Sequence, residues 1–476
     1  MLKRFSRYLA LAIFATSTVT LFAQGGEAAG QGIITGGGTA TTAAGGQTII
    51  ITGNGGTFTG TITVTGSGAY TGATTIQPGV LAIPKLQPND VVGICGDSIT
   101  EQRQYSVNME LYFLACQPAA NIRSFQAGWG GEVAPGFLAR LDRDVLPLKP
   151  TVVTTCYGMN DSGYGPMTEA KGQKYREATT AIVKKFKAAG VRQIVVGSSG
   201  PVDTTTWGRG NAELNAAQNK TLAALGEIGK DIAEKEGVTF ADVYTPMMQA
   251  MTALKAKYGE KYHLAGGDGV HPDANGHLVM AYAFLKALGC DGNIGTITVD
   301  LATSKATATP GHTIKSAADG TIEVVSTRYP FCFTGDPKTT GATTGVIDVI
   351  PFNQDLNRFL LVINNATGKV KVTWGENAKE FSAEEAGKGI NLAAAFLDNP
   401  FSAPFEKLKA AVQEQQLFET PLTKSLLHNT STWGAAAPQE AEALNKSAIN
   451  LDTALAARSA KTVEPVTHTI KIELVK

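Results

Sequence analysis

Four short blocks in the 476-residue chain place reactive residue types where chemistry could be done. Gly96-Asp97-Ser98-Ile99-Thr100 carries a hydroxyl, and Ala127-Gly128-Trp129-Gly130-Gly131-Glu132 carries glycines that let a backbone N–H turn toward a ligand. Tyr157-Gly158-Met159-Asn160-Asp161 offers a side-chain amide, and Asp268-Gly269-Val270-His271-Pro272 sets a carboxylate three residues before an imidazole. Together these are the parts that acyl transfer needs: a nucleophile, a base for its proton, and N–H donors for a tetrahedral oxyanion. Alone, the Gly-Asp-Ser triplet is an ordinary helix N-cap. Its weight comes from the other three blocks and from where all four fall.

Between Val91 and Gly289 short apolar runs alternate with helical patterns. Strands are expected at Val91–Cys95, Ile122–Gln126, Thr151–Tyr157, Gln193–Gly197 and Thr239–Tyr244. Helices are expected through about Cys116, then at Phe137–Leu146, Thr168–Ala189, Glu213–Glu236 and Asp273–Leu288. Strands apolar on both faces and joined through helices imply a parallel sheet covered on both sides, with right-handed crossovers. The site of such a sheet lies beyond the carboxyl ends of its strands. The first three blocks directly follow strands one to three, and the fourth lies just before the closing helix.

In this order and register the segment of about residues 90–289 resembles an SGNH hydrolase of the GDSL esterase family. The resemblance implies an α/β, flavodoxin-like three-layer domain with a five-stranded parallel sheet, and the chemistry of a serine esterase. Ser98 would attack the ester carbonyl, and His271 would act as general base and then return the proton to the leaving alcohol. Asp268 would hold the imidazole tautomer and stabilise its cationic form. The resemblance also implies the oxyanion donors: the Ser98 and Gly131 backbone N–H groups and the Asn160 amide. Glu132 stands where many members carry Asp, which leaves Gly130 as the competing donor, with Gly131 favoured.

Other residues carry expectations of their own. Asp97 and Asp161 read as acceptors bracing their loops, His277 as a solvent-facing residue of the closing helix, and His263 as structural. Asp142, Asp144 and Lys184, Lys185 and Lys187 read as solvated helix faces. Trp129, Tyr164, Trp207 and Arg209 stand in or near the blocks and are candidate substrate contacts, with core packing the equal alternative for the aromatics. No metal or nucleotide motif occurs, so no cofactor is expected.

The remaining chain falls into three parts. Lys3, Arg4 and Arg7, the apolar run Tyr8–Ala15 and the small residues before Gln24 read as a cleaved signal peptide, residues 1–23, and hence a secreted, periplasmic or cell-surface protein. Residues 24–80 hold 17 Gly, 14 Thr and a single charge, Glu27. Ile51–Gly60 and Val64–Gly72 repeat one another, and Gly68–Ile76 resembles the β-strand repeats of autotransporter passengers. Two copies fall short of a self-supporting solenoid, so a flexible linker and a small β-appendage both remain open. The hydrolase unit is set at 88–292, followed at 293–476 by a mainly-β domain with helical excursions near Pro404–Glu419 and Gln439–Ser459. Within that domain Thr321–Thr327, Gly345–Pro351, Phe359–Asn364, Lys369–Trp374 and Val466–Val475 read as strands, with Asn365–Gly368 as a hairpin turn.

With 41 basic and 41 acidic residues the chain lacks the charge of a nucleic-acid binder, and nothing in it suggests stable membrane insertion. Five cysteines are too few and too scattered for a disulfide scaffold, and Cys95 and Cys156 read as buried free thiols. The expected substrate is an acetylated polysaccharide or oligosaccharide. A short-chain acyl ester or lipid, and a non-catalytic carbohydrate-binding surface protein, are the alternatives. The oligomeric state is left open.

Overall fold

Strands buried on both faces build the centre of the molecule. In the computed structural model β1 (Val91–Gly96), β2 (Arg123–Gly128), β3 (Val152–Cys156), β4 (Gln193–Gly197) and β5 (Thr239–Ala241) form one parallel sheet in the order β5-β4-β3-β1-β2. β3 and β4 are buried at every position, and β1 at all but its first, because helices cover both faces. The order reverses beside β1, the switch point at which flavodoxin-like sheets open a crevice. The structure describes residues 86–475 except 119–120 and 209–211. Within residues 1–85 it describes only seven short strands, so most of the expected signal peptide and most of the Gly/Thr island lie outside the described residues. Residues 1–84 and 85–476 are separate units.

The helices Tyr105–Leu111, Glu169–Ala188, Ala212–Glu236 and Ala274–Ala287 agree with the sequence pattern within a few residues. Tyr244–Tyr258, a helix directly after β5, was not expected. Among the described residues no helix is long and apolar enough to cross a membrane. Cys95, Cys116, Cys156 and Cys332 are buried free thiols, and Cys290 is half-buried.

Beyond residue 292 two further sheets form. One orders Lys305–Ala308, Asn293–Asp300, Arg358–Asn364 and Ile390–Asn391. The other orders His312–Ala318, Thr321–Ser326, Val466–Leu474, Val370–Trp374 and Asn377–Phe381, and is antiparallel throughout. Phe359 of the first sheet meets Trp374 and His468 of the second at ring distances of 5.8 and 6.1 Å, with Phe401 between them. The expected hairpin at Asn365–Gly368 is absent. Arg358–Asn364 runs parallel to Asn293–Asp300, whereas Val370–Trp374 belongs to the other sheet, so the turn hands the chain between sheets. Gly345–Pro351 is not a strand either. It contains a 3₁₀ turn, Val346–Asp348, with Val346 and Ile350 buried four residues apart on one side.

The helices Ser402–Pro421 and Pro438–Ala460 return to the parallel sheet and cover its β2 edge, where an unpaired strand would otherwise be open. Glu419 accepts from the Gln126 amide of β2 at 2.7 Å, Gln415 and Gln416 donate to Glu110, and Asp452 faces Arg123. Burial pushes Glu110 up to about 7 and Asp452 up to about 6, and it pushes Glu419 well above the usual carboxylate range, with the charge of Glu110 adding to it. A carboxyl raised on folding stabilises fully below its unfolded pKa and loses that contribution as pH rises through the folded value. Glu419→Gln supplies a neutral group at all pH values. We expect its melting temperature relative to wild type to rise between pH 5 and pH 8 by on the order of a few °C. Parallel pH curves for the two proteins would show that the cluster does not titrate with folding.

Candidate active site

Each of the four blocks is held by the element it follows. The helix Ser98–Glu101 begins directly after β1, and Asp97 caps it by accepting from the Ile99 amide at 3.0 Å. Burial pushes the Asp97 carboxyl up to about 7 against that hydrogen bond. The cap leaves Ser98 half-buried at the carboxyl edge of the sheet. At the other end of this turn Gln102 accepts from His277 Nε2 at 2.7 Å. His277 is fully buried and stacks on Tyr105, so the expectation that it faces solvent is wrong, and burial pushes its pKa down to about 3.

Ser98 and His271 lie 173 residues apart, yet Ser98 Oγ is 2.8 Å from His271 Nε2. On the far side of the ring His271 Nδ1 is 2.7 Å from Asp268 Oδ2. The other carboxylate oxygen, Oδ1, accepts from the Val270 and His271 amides at 2.8 and 2.9 Å. Partial burial of Asp268 works to raise its pKa, but these amides and the imidazole outweigh it and hold the carboxyl below its ordinary value. Asp268 therefore stays an anion that accepts the Nδ1 proton, which leaves Nε2 as the acceptor facing the serine. That is the arrangement in which an imidazole can take a proton from a hydroxyl.

The β2 loop is pinned on both sides of one free amide. Gly128 packs so closely on the Ser98 helix that a Cβ would sit 2.2 Å from the Glu101 nitrogen. Gly130 donates to Glu101 Oε2 at 2.5 Å, whereas the Gly131 amide, at φ +74°, has no acceptor among the described residues. Of the two candidate donors, Gly130 is thus already engaged with a carboxylate, and Gly131 is not. Glu132 is buried and forms a two-pronged pair with Arg140 at 2.6 and 2.7 Å, and Tyr157 donates to it at 2.8 Å. Burial works against the Arg140 charge, but Glu132 more than offsets it and holds the guanidinium above its ordinary pKa.

Asn160, after β3, donates from Nδ2 to the Glu132 carbonyl at 3.0 Å, with a longer 3.4 Å contact to Asp97 Oδ2. The Tyr164 hydroxyl donates to Asn160 Oδ1 at 2.9 Å, which fixes which end of the amide faces inward. Asp161 braces two segments as expected, accepting from Ala134 and Gly158, and burial pushes it up to about 6.

A cavity of about 300 Å³ opens beside the imidazole, lined by Tyr164, Thr206, Trp207, Gly208, Asp268, Val270 and His271. Of the four candidate substrate contacts, Tyr164 and Trp207 are among its walls. Arg209 lies outside the described residues. Trp129 is not part of this lining: its ring lies 4.8 Å from the His428 ring and 5.1 Å from the Arg140 guanidinium. Asp144, expected on a solvated face, is fully buried and meets His428 Nδ1 at 2.7 Å. His263, read as structural, faces Asp273 at 3.4 Å. The residues missed from sequence, Glu101, Arg140, Lys424 and His428, all act on the β2 loop. Lys424 and His428 carry no local signal because they reach it from the C-terminal helices.

Residues 94–279 match the model of the GDSL-like Lipase/Acylhydrolase family. An acetylxylan esterase of Geobacillus stearothermophilus is 27% identical over 182 residues, covering 37% of this chain and 76% of the esterase. A solved structure titled as BT4096, a gut microbial diltiazem-metabolizing enzyme, aligns with a TM-score of 0.65 at 23% identity, over 83% of this chain and 99% of its own. That likeness concerns the fold, and it extends well beyond the family match. The crystal structure of Axe2, an acetylxylan esterase from Geobacillus stearothermophilus, aligns with a TM-score of 0.36 at 22% identity over 43% of this chain and 97% of its own. Residues 94–279 are accordingly a GDSL-like lipase/acylhydrolase domain.

Proposed function

We propose that the protein is an exported serine esterase that removes acetyl groups from carbohydrate. The hydrogen-bonded relay from Ser98 through His271 to Asp268 carries the reading. Ser98 Oγ attacks the acetyl carbonyl as its proton passes to His271 Nε2, and the carbonyl electron pair moves onto oxygen. The Gly131 and Ser98 amides and the Asn160 Nδ2 proton that meets Asp97 only at 3.4 Å receive that oxyanion. Collapse expels the sugar hydroxyl, protonated by His271, and leaves an acetyl-serine. Water then repeats the sequence, releasing acetate and restoring Ser98.

The substrate class draws support from the acetylxylan esterase likeness and from the aromatic Tyr164 and Trp207 walls beside polar Thr206 and Asp268. Export is argued from Lys3, Arg4 and Arg7 ahead of the Tyr8–Ala15 apolar run. The test is a series of p-nitrophenyl esters of increasing acyl length together with acetate release from acetylated xylan, using Ser98→Ala as the blank. Acetyl is expected to be the best acyl group, with acetate released from the polymer. Rates that climb toward medium-chain esters, with no acetate from xylan, would make the protein a short-chain or lipolytic esterase instead.

A further inference from the structure

The turn Trp129–Glu132 presents the Gly131 amide, and three separate contacts fix it. Glu132 is locked below by Arg140, Trp129 is held by its ring, and Gly130 is held by Glu101. Two of the three depend on residues far outside the 94–279 domain. Lys424 donates to Glu101 Oε1 at 2.6 Å while Glu101 Oε2 takes the Gly130 amide, so one carboxylate bridges the lysine to the loop. The same ammonium lies 5.0 Å from the centre of the Trp129 ring. Lys424 sits in a π-helical turn, Leu422–Leu427, that follows Pro421, whose missing N–H interrupts the helical ladder there. Just before that turn Thr420 accepts from Arg103 at 3.1 Å and from Gln126 at 2.9 Å, and Arg103 also donates to the Glu101 carbonyl. The turn therefore touches the ends of both elements that carry the site. A Cβ on Gly131 would meet nothing within 4 Å, so its direction is set through its neighbours rather than by packing.

We propose that Lys424, acting through Glu101, is a positioning residue for the oxyanion hole: the ion pair holds the Gly130 amide and so aims the Gly131 N–H at the reacting carbonyl. This rests on the reading of Gly131 as an oxyanion donor, and it gives the C-terminal helices a part in turnover. Without the lysine, a carboxylate that is a quarter exposed regains its rotamers and the loop loses its tether. Small misplacements of this kind cost up to about a hundredfold in rate.

The experiment is steady-state kinetics on p-nitrophenyl acetate with the full chain and the variants K424M, K424R, E101Q and K424M/E101Q, each with a thermal melt, against S98A. K424M is expected to lower kcat by roughly ten- to a hundredfold with KM within about twofold, because the defect lies in the transition state. K424R should recover most of the loss. The double variant should be no worse than E101Q, since both changes break one link. Unchanged kcat in K424M, equal loss in K424R, or losses that multiply in the double variant would each overturn the inference. If K424M melts well below wild type, E101Q decides, and the inference then stands only if kcat falls at an unchanged melting temperature. Wild-type activity in S98A would remove the underlying reading as well, whereas a dead S98A beside an unaffected K424M and E101Q removes this inference alone.

Discussion

Replacing Ser98 by alanine is expected to lower kcat on acetyl esters by about 10⁶-fold, with KM little changed. The serine hydroxyl meets His271 Nε2 and lies half-buried, so its loss leaves neither a large cavity nor a stranded charge. Asp97, not Ser98, caps the helix, so the local fold survives and the melting temperature should stay within about a degree. The cradle of amides persists in the variant, and some acceleration over water should remain. Kinetics on p-nitrophenyl acetate, paired with labelling by a fluorophosphonate, make the measurement. Wild type should be labelled at Ser98 and the variant should not react. A variant retaining more than one per cent of the rate, or labelled elsewhere with loss of activity, would move the nucleophile to another residue.

What could be read in advance follows how far apart the interacting parts lie along the chain. Asp268 and His271 share one turn, and the Ser98, Gly131 and Asn160 blocks each follow a buried parallel strand. Sheet topology then brings them to one edge, a placement that follows from local pattern and one topological rule. His277 was misread although its signal was present. The helix Ala274–Ala287 is apolar nearly all round, which marks a buried helix, so a histidine on it meets protein and not water. Asn365–Gly368 has sound turn chemistry, but its flanking strands pair with Asn293–Asp300 and Val466–Leu474, segments about 60 and 100 residues away. Partner choice there depends on which face each strand buries, which no turn signal contains. The link from Lys424 to Glu101 spans 323 residues and a change of architecture, and a lone lysine near a proline gives no hint of it.

Asn160 carries the second large effect. Asn160→Ala is expected to lower kcat by about 10²–10³-fold, the usual consequence of losing one oxyanion donor, with KM altered far less. The amide is pre-set: Tyr164 donates to its Oδ1 at 2.9 Å, which turns Nδ2 toward Glu132 and Asp97. Such a donor needs no reorientation as negative charge develops, and its contribution is therefore concentrated in the transition state. Asn160→Asp separates this role from mere packing. The shape is kept, but a carboxylate replaces an N–H donor where an oxyanion must form, beside the existing carboxyl of Asp97. The aspartate variant should therefore be slower than the alanine variant, although it is the closer isostere. Tyr164→Phe frees the amide to flip and should cost less than either, roughly tenfold, again in kcat. If the aspartate variant retained more activity than the alanine variant, Asn160 would be holding the Glu132 loop in shape and not receiving charge, and the oxyanion hole would reduce to the two backbone amides.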